Sequence, residues 1–202
     1  MSDTRDIGNT NGAKAEDICL ACGLCCDGTI FADVKLQPQD DADRLAASGL
    51  PLLNSKPQPG ESHGPSAGKV SAARSCEFHQ PCAALQGGRC RVYEIRPKHC
   101  RDFECLLLKR VKAGKTEKSA ALEVIRTARE CSDRVWRMLR ELGDVDEELS
   151  LSKRFRRTTR RLEEIGLDDQ TADLYGELTL AVHDLNFLLS QSFYPGDNQG
   201  KR

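Results

Sequence analysis

The thiol is the side chain in this protein best suited to chemistry. Four thiols open the pattern as Cys19-x2-Cys22-Gly-Leu-Cys25-Cys26. A deprotonated thiol is a soft ligand for zinc and iron. Two residues between cysteines let a tight turn aim both sulfurs at one ion, with backbone N–H groups pointing at the sulfur charge. Gly23 tolerates the positive φ that such a turn often needs. A single C-x2-C is a weak signal, whereas three cysteines at this spacing with a fourth beside them form a strong one. Neighbouring residues direct their side chains apart, so one ion does not easily take both Cys25 and Cys26. Either one of the pair ligates a second centre or one is an unligated thiol, and the supply of further cysteines favours the former.

Five more cysteines follow as Cys76-x5-Cys82-x7-Cys90-x9-Cys100-x4-Cys105. Their irregular spacing names no metal, but their number matters. A tetrahedral structural site and an iron–sulfur cubane each need four ligands. The nine cysteines from Cys19 to Cys105 can fill two such sites and leave one over, with Cys76 the first candidate for the spare and Cys26 the next. Four thiolates on a divalent ion leave a charge of −2, so nearby cations are needed. Arg89, Arg91, Arg96, Lys98 and Arg101 lie among these cysteines, and Arg101 is the best candidate to bond a sulfur. His79 and His99 also lie between cysteines, but loop histidines are more often polar surface, as His183 is expected to be. Cys131 falls on a helical stripe and reads as a small packed hydrophobe.

The rest of the composition frames these thiols. The chain has 202 residues, ten of them cysteine, and a formal net charge of −1, which selects neither an acidic nor a basic partner. No apolar run is long enough to cross a bilayer, and Met1 to Glu16 is polar with no signal-peptide core. The expectation is a cytoplasmic protein with reduced thiols, which favours metal over disulfides.

The elements that must position the cysteines are short. Residues 1–15 read as a disordered tail and residues 16–108 as the cysteine-cluster domain. Ile30, Ala32, Val34 and Leu36 alternate as a strand does. Pro38 opens and Gly49 closes a predicted helix over Gln39 to Ser48. Pro51 to Gly68 reads as a loop, and Val70 to Ala73 as a strand. From about residue 115 to 195 the apolar period becomes helical. One stripe runs through Leu122, Ile125, Ala128, Val135, Leu139 and Leu142, and a second through Leu151, Phe155, Leu162 and Ile165. A third holds Leu174, Leu178, Val182, Leu185 and Leu189, with breaks at Gly143 and Gly166. The predicted fold is an α+β or irregular metal-stabilised N-terminal region followed by an antiparallel three-helix bundle, mainly α overall, with a frayed tail at 196–202.

Two stretches together carry a family resemblance: the opening Cys19 to Cys26 motif and the run Cys90-Arg-Val-Tyr93-Glu-Ile-Arg96-Pro97-Lys-His-Cys100-Arg101-Asp-Phe103. With Cys82 ahead of the second, the chain resembles the YkgJ-like CxxCxxCC cysteine-cluster family, a zinc- or iron-chelating domain, over about Cys19 to Cys105. The resemblance implies metal ligation by Cys19, Cys22, Cys25, Cys26, Cys82, Cys90, Cys100 and Cys105, and supplies no reaction. Zinc and a [4Fe–4S] cluster suit an all-cysteine set equally, with a lone iron ion third.

The functional expectation is a metal-binding protein with a structural or carrier role, whose helical region docks a protein partner. The alternative is a redox or metal-dependent enzyme, or an accessory protein, built on an iron–sulfur cluster. No phosphate-binding loop or catalytic triad emerges. The basic run from Lys153 to Arg161 could grip phosphates, but Glu147, Glu148, Glu163 and Glu164 flank it. A solvated helix face is the better reading, which disfavours a nucleic-acid partner.

Overall fold

The computed structural model describes residues 18–54, 76–166 and 168–194. Among them the chain is mainly helical, with two small antiparallel sheets. They form two compact units: a cysteine unit of residues 24–54, 76–103 and 144–164, and a helical unit of residues 18–23, 104–143, 165–166 and 168–194. The expectations for both termini, for the loop beyond residue 54 and for a strand at Val70 to Ala73 lie outside the described residues.

In the cysteine unit, β1 (Asp33–Lys35), β2 (Leu53–Asn54) and β3 (Cys76–His79) pair antiparallel in the order β1-β3-β2. Val34 stands opposite Phe78, and both are buried in a core with Leu45, Leu50, Ala84 and Val92. The strand expected around Val34 is present but spans only three residues. A hairpin of β4 (Leu85–Gln86) and β5 (Arg89–Cys90) turns at Gly87 and Gly88, whose φ values of 54° and 78° fit a tight two-residue reversal.

Helix α1 (Ala42–Ala47) starts later than the proline predicts. Asp41 caps it by accepting the Arg44 N–H at 2.9 Å, while Asp40 closes the preceding turn by accepting the Gln37 N–H at 2.7 Å. It ends as predicted, with Ser48 at the cap and Gly49 at φ 84°. A 3-10 turn (Tyr93–Ile95) and helix α2 (Lys98–Asp102) follow the hairpin.

The helical unit holds a helical turn at residues 18–22, helix α3 (Leu106–Lys112) and helix α4 (Lys118–Glu141). The sequence reading did not foresee α3, whose seven residues are too few for a periodic stripe, though Leu107 and Leu108 are buried. Helix α4 buries Ala121, Ile125, Ala128, Val135 and Leu139, close to the predicted stripe. Arg129 on α4 donates to the Ala21 carbonyl at 3.0 Å and anchors the 18–22 turn.

Two further helices complete the chain, α5 (Leu151–Ile165) in the cysteine unit and α6 (Asp169–Ser192) in the helical unit. Helix α6 buries Leu178, Val182, Leu185 and Leu189 and packs on α4. The helical C-terminal region is thus present, with α5 grouped in the cysteine unit and α4 and α6 in the helical unit. Its buried face also differs from the prediction. Leu151 and Leu162 are buried as expected, but Arg154 and Thr158 join them, while Phe155 is half-buried and Ile165 is exposed.

The reason is one carboxylate. Asp144, itself buried, accepts the Thr158 hydroxyl at 3.2 Å and the Arg157 guanidinium at 2.5 Å, with Arg154 Nε 3.4 Å away. Arg154 also donates to the Asp144 carbonyl at 2.6 Å. Beside this network, Lys153 Nζ lies 2.6 Å from Asp33 Oδ1, and His79 Nδ1 lies 2.5 Å from the same oxygen. Burial pushes the Asp33 carboxyl up, but the bonds from Lys153 and His79 outweigh it and hold the group below its ordinary value. The basic run is therefore partly structural rather than a uniformly solvated face. No helix among the described residues is long and apolar enough to cross a membrane.

Removing Arg154 leaves a buried carboxylate short of a partner, a change that typically costs about 3–5 kcal/mol. Arg154→Ala is expected to lower the urea midpoint accordingly, and Arg156→Ala, at an exposed position, to leave it unchanged.

Candidate metal centre

Four segments of the cysteine unit each carry one thiol within electrostatic reach of the others. Cys26 lies in the turn that follows Gly23, and its carbonyl accepts the Cys82 N–H at 2.8 Å. Cys82 starts the chain toward the glycine hairpin, its carbonyl accepts the Leu85 N–H at 2.9 Å, and the nearby N–H groups of Ala84 and Leu85 also favour charge on its sulfur. Donors two and three residues beyond a cysteine form the kind of concave N–H nest that stabilises thiolate charge. Cys90 stands opposite Leu85 across the hairpin. Cys100 sits on α2, whose start is fixed from a distance: Asp40 Oδ1 accepts the Lys98 N–H at 2.7 Å. Cys82, Cys90 and Cys100 all pack against the Val34 and Phe78 core.

The sulfurs feel one another. Burial pushes the Cys26 thiol up to about 12, and the neighbouring sulfurs of Cys82, Cys100 and Cys90 add to the shift. Cys100 is likewise pushed to about 12, by burial and then by Cys82 and Cys90, against the pull of Arg96. Cys82 is also raised by burial, with its two N–H donors and Arg91 pulling back. In the absence of a cation, Cys26, Cys82 and Cys100 favour the neutral thiol, because gathering several negative charges in a poorly solvated space is costly. A divalent cation reverses that balance by replacing the protons.

The donor set therefore suits zinc or iron chemically: four soft sulfurs, half-buried, with N–H donors and guanidinium charge at hand. Among the described residues, however, no three His, Cys, Asp or Glu side chains are already closed up in the arrangement of a metal-holding group. The four sulfurs are within electrostatic reach of one another without forming a cage. Each cysteine has one side-chain torsion, so its sulfur can be re-aimed between staggered positions without moving the backbone.

The other predicted ligands fall elsewhere. Cys19 is exposed and Cys22 half-buried in the 18–22 turn of the helical unit. Cys105, in the same unit, caps α3, its sulfur accepting the Leu108 N–H at 3.4 Å; burial raises this thiol, and N–H bonds from Leu108 and Leu107 oppose the rise. Cys25 is half-buried in the cysteine unit. Cys76, the expected spare, opens β3, where its carbonyl accepts the Leu36 N–H. Cys131 is half-buried on α4.

Two second-tier expectations change. Arg101 donates to the Arg96 carbonyl at 2.8 Å and lies 3.7 Å from Asp40, so it braces α2, while Arg91 and Arg96 supply the positive charge felt by Cys82 and Cys100. His79 is engaged by Asp33 and Lys153. His99 packs against Phe31 and Phe103, with ring centroids 5.0 and 6.3 Å away. Asp40 is the residue that sequence reasoning missed: it acts on Lys98, 58 positions away, and no local spacing signals such a contact.

Residues 18–131 match the family CxxCxxCC, described as a putative zinc- or iron-chelating domain. No curated protein and no solved structure matches the chain.

The raised thiols set a pH dependence for the metal-free protein. Neutral thiols are favoured by the fold, so their contribution is complete below the ordinary value of 9.0 and is lost as pH rises toward about 12. Thiolate absorbance of the metal-free protein is expected to show groups still un-ionised at pH 10, with stability falling above pH 9. Ionisation of all ten thiols by pH 10 in the folded protein would contradict this.

Proposed function

The chain belongs to the CxxCxxCC family of zinc- or iron-chelating domains, and from that premise we propose that Cys26, Cys82, Cys90 and Cys100 hold one metal centre in a structural or carrier role. The observation that carries this reading is the mutual action of four sulfurs drawn from four separate segments. A turn, a hairpin entry, a hairpin exit and a helix have no reason to gather thiols for packing alone. The centre is zinc, a lone iron ion or a [4Fe–4S] cluster, each of which takes four cysteine sulfurs. The ligand roles of Cys19, Cys22, Cys25 and Cys105 rest on the family pattern.

The metal's contribution here is cohesion. Strands of two to four residues and a six-residue buried cluster give the cysteine unit little to hold it together. One ion bound by four segments closes several loops at once, so its binding energy is also folding energy. Arg91 and Arg96 offset the thiolate charge, and the Ala84 and Leu85 N–H groups favour charge on the Cys82 sulfur.

Protein prepared under argon is expected to carry bound zinc or iron, colourless if zinc and brown if an iron–sulfur cluster. Cys82→Ser and Cys100→Ser should each lower the metal content measured by elemental analysis, and Cys131→Ser should not. Unchanged metal content in both of the first two variants would show that this ligand set is wrong.

A further inference from the structure

Away from the sulfurs, the cysteine unit has a pocket of ≈ 440 Å³ between the end of α1 and residues 91–95. Arg44 and Ser48 line it from α1, and Arg91, Tyr93, Glu94 and Ile95 from the other side. Two guanidiniums and one carboxylate leave the lining with an excess positive charge. Like charges brought to one pocket repel, and no neighbouring carboxylate neutralises them. Among the described residues, no carboxylate lies within ion-pair distance of Arg44 or Arg91.

The other arginines lining this part of the unit are treated differently. Arg96 donates to the Tyr93 carbonyl and stacks over the Tyr93 ring at 3.5 Å, and Arg101 is held by Arg96 and Asp40. Arg154 and Arg157 are consumed by Asp144. Arg44 and Arg91 are exposed and pair with no carboxylate among the described residues, although Arg91 also lies near enough to Cys82 to pull that thiol down. The Arg91 guanidinium passes close to Gly49, where a Cβ would meet it at 3.4 Å, and φ 84° favours glycine at that position.

We propose that this pocket binds a small oxyanion, a carboxylate- or phosphate-bearing molecule, bridged between Arg44 and Arg91. Guanidinium forks match the planar oxygens of carboxylates and the oxygens of phosphates in paired hydrogen bonds. The volume falls within the range of small-molecule sites, and Ile95 and Val92 supply an apolar wall. Glu94 sets a limit on the ligand's negative charge and offers a contact to any donor it carries.

The test is calorimetric titration of the full chain, as purified with its metal, using inorganic phosphate and citrate separately at low ionic strength. Saturable binding of either is expected. Arg44→Gln and Arg91→Gln should each weaken it about tenfold or more, since each removes a charge-assisted pair. Glu94→Gln should strengthen it, and Lys115→Gln, an exposed lysine of the helical unit, should leave it unchanged. Circular dichroism and metal content of Arg44→Gln should match the parent, which separates loss of binding from loss of fold. Absence of binding by both anions, or binding that survives both arginine substitutions, would overturn the proposal.

Discussion

The constraint on which the rest of the cysteine unit depends is electrostatic. Sulfurs held within reach of one another in a half-buried space favour the neutral thiol, as at Cys26 and Cys100, unless a cation replaces the protons. No arrangement of bare charges there survives. The choice between proton and metal ion is therefore built into the placement of Cys26, Cys82, Cys90 and Cys100. The metal reading follows from the chemistry of that choice.

Everything around the sulfurs serves their placement. The Gly87–Gly88 reversal brings Cys90 back alongside the Cys82 segment, and the Cys26 carbonyl joins its own turn to the hairpin. Asp40 fixes the start of α2 and hence Cys100. On the other flank, the Asp144 network and the Asp33–Lys153 contact recruit α5, a helix whose buried face is half polar. A unit with so few apolar residues relies on buried carboxylates to orient its pieces. Such groups lose heavily when one partner is removed.

Much of this was legible in the sequence, and what was not has a physical pattern. The CxxCxxCC opening and the Cys90 to Phe103 run were readable because metal ligation constrains local spacing. The stripes of α4 and α6 were readable because burial imposes a helical period. Helix α5 misled for a clear reason. Arg154 and Thr158 complete its inner face, and an apolar-period search skips polar residues whose partner, Asp144, satisfies them. The start of α1 was placed early because Pro38 is a generic opening signal, while the Asp41 side chain makes the actual cap. Arg101 was the best candidate for a sulfur contact among the cations near the later cysteines, whereas its guanidinium reaches to Arg96 and Asp40. Local signals survive in a sequence, and long-range polar contacts leave no spacing to read.

The most direct test of the central claim is X-ray absorption at the zinc and iron edges of anaerobically prepared protein. A first shell made of sulfur, at about 2.3 Å for zinc, is the predicted result. A first shell dominated by nitrogen or oxygen, or no bound metal in a folded, fully reduced protein, would contradict it.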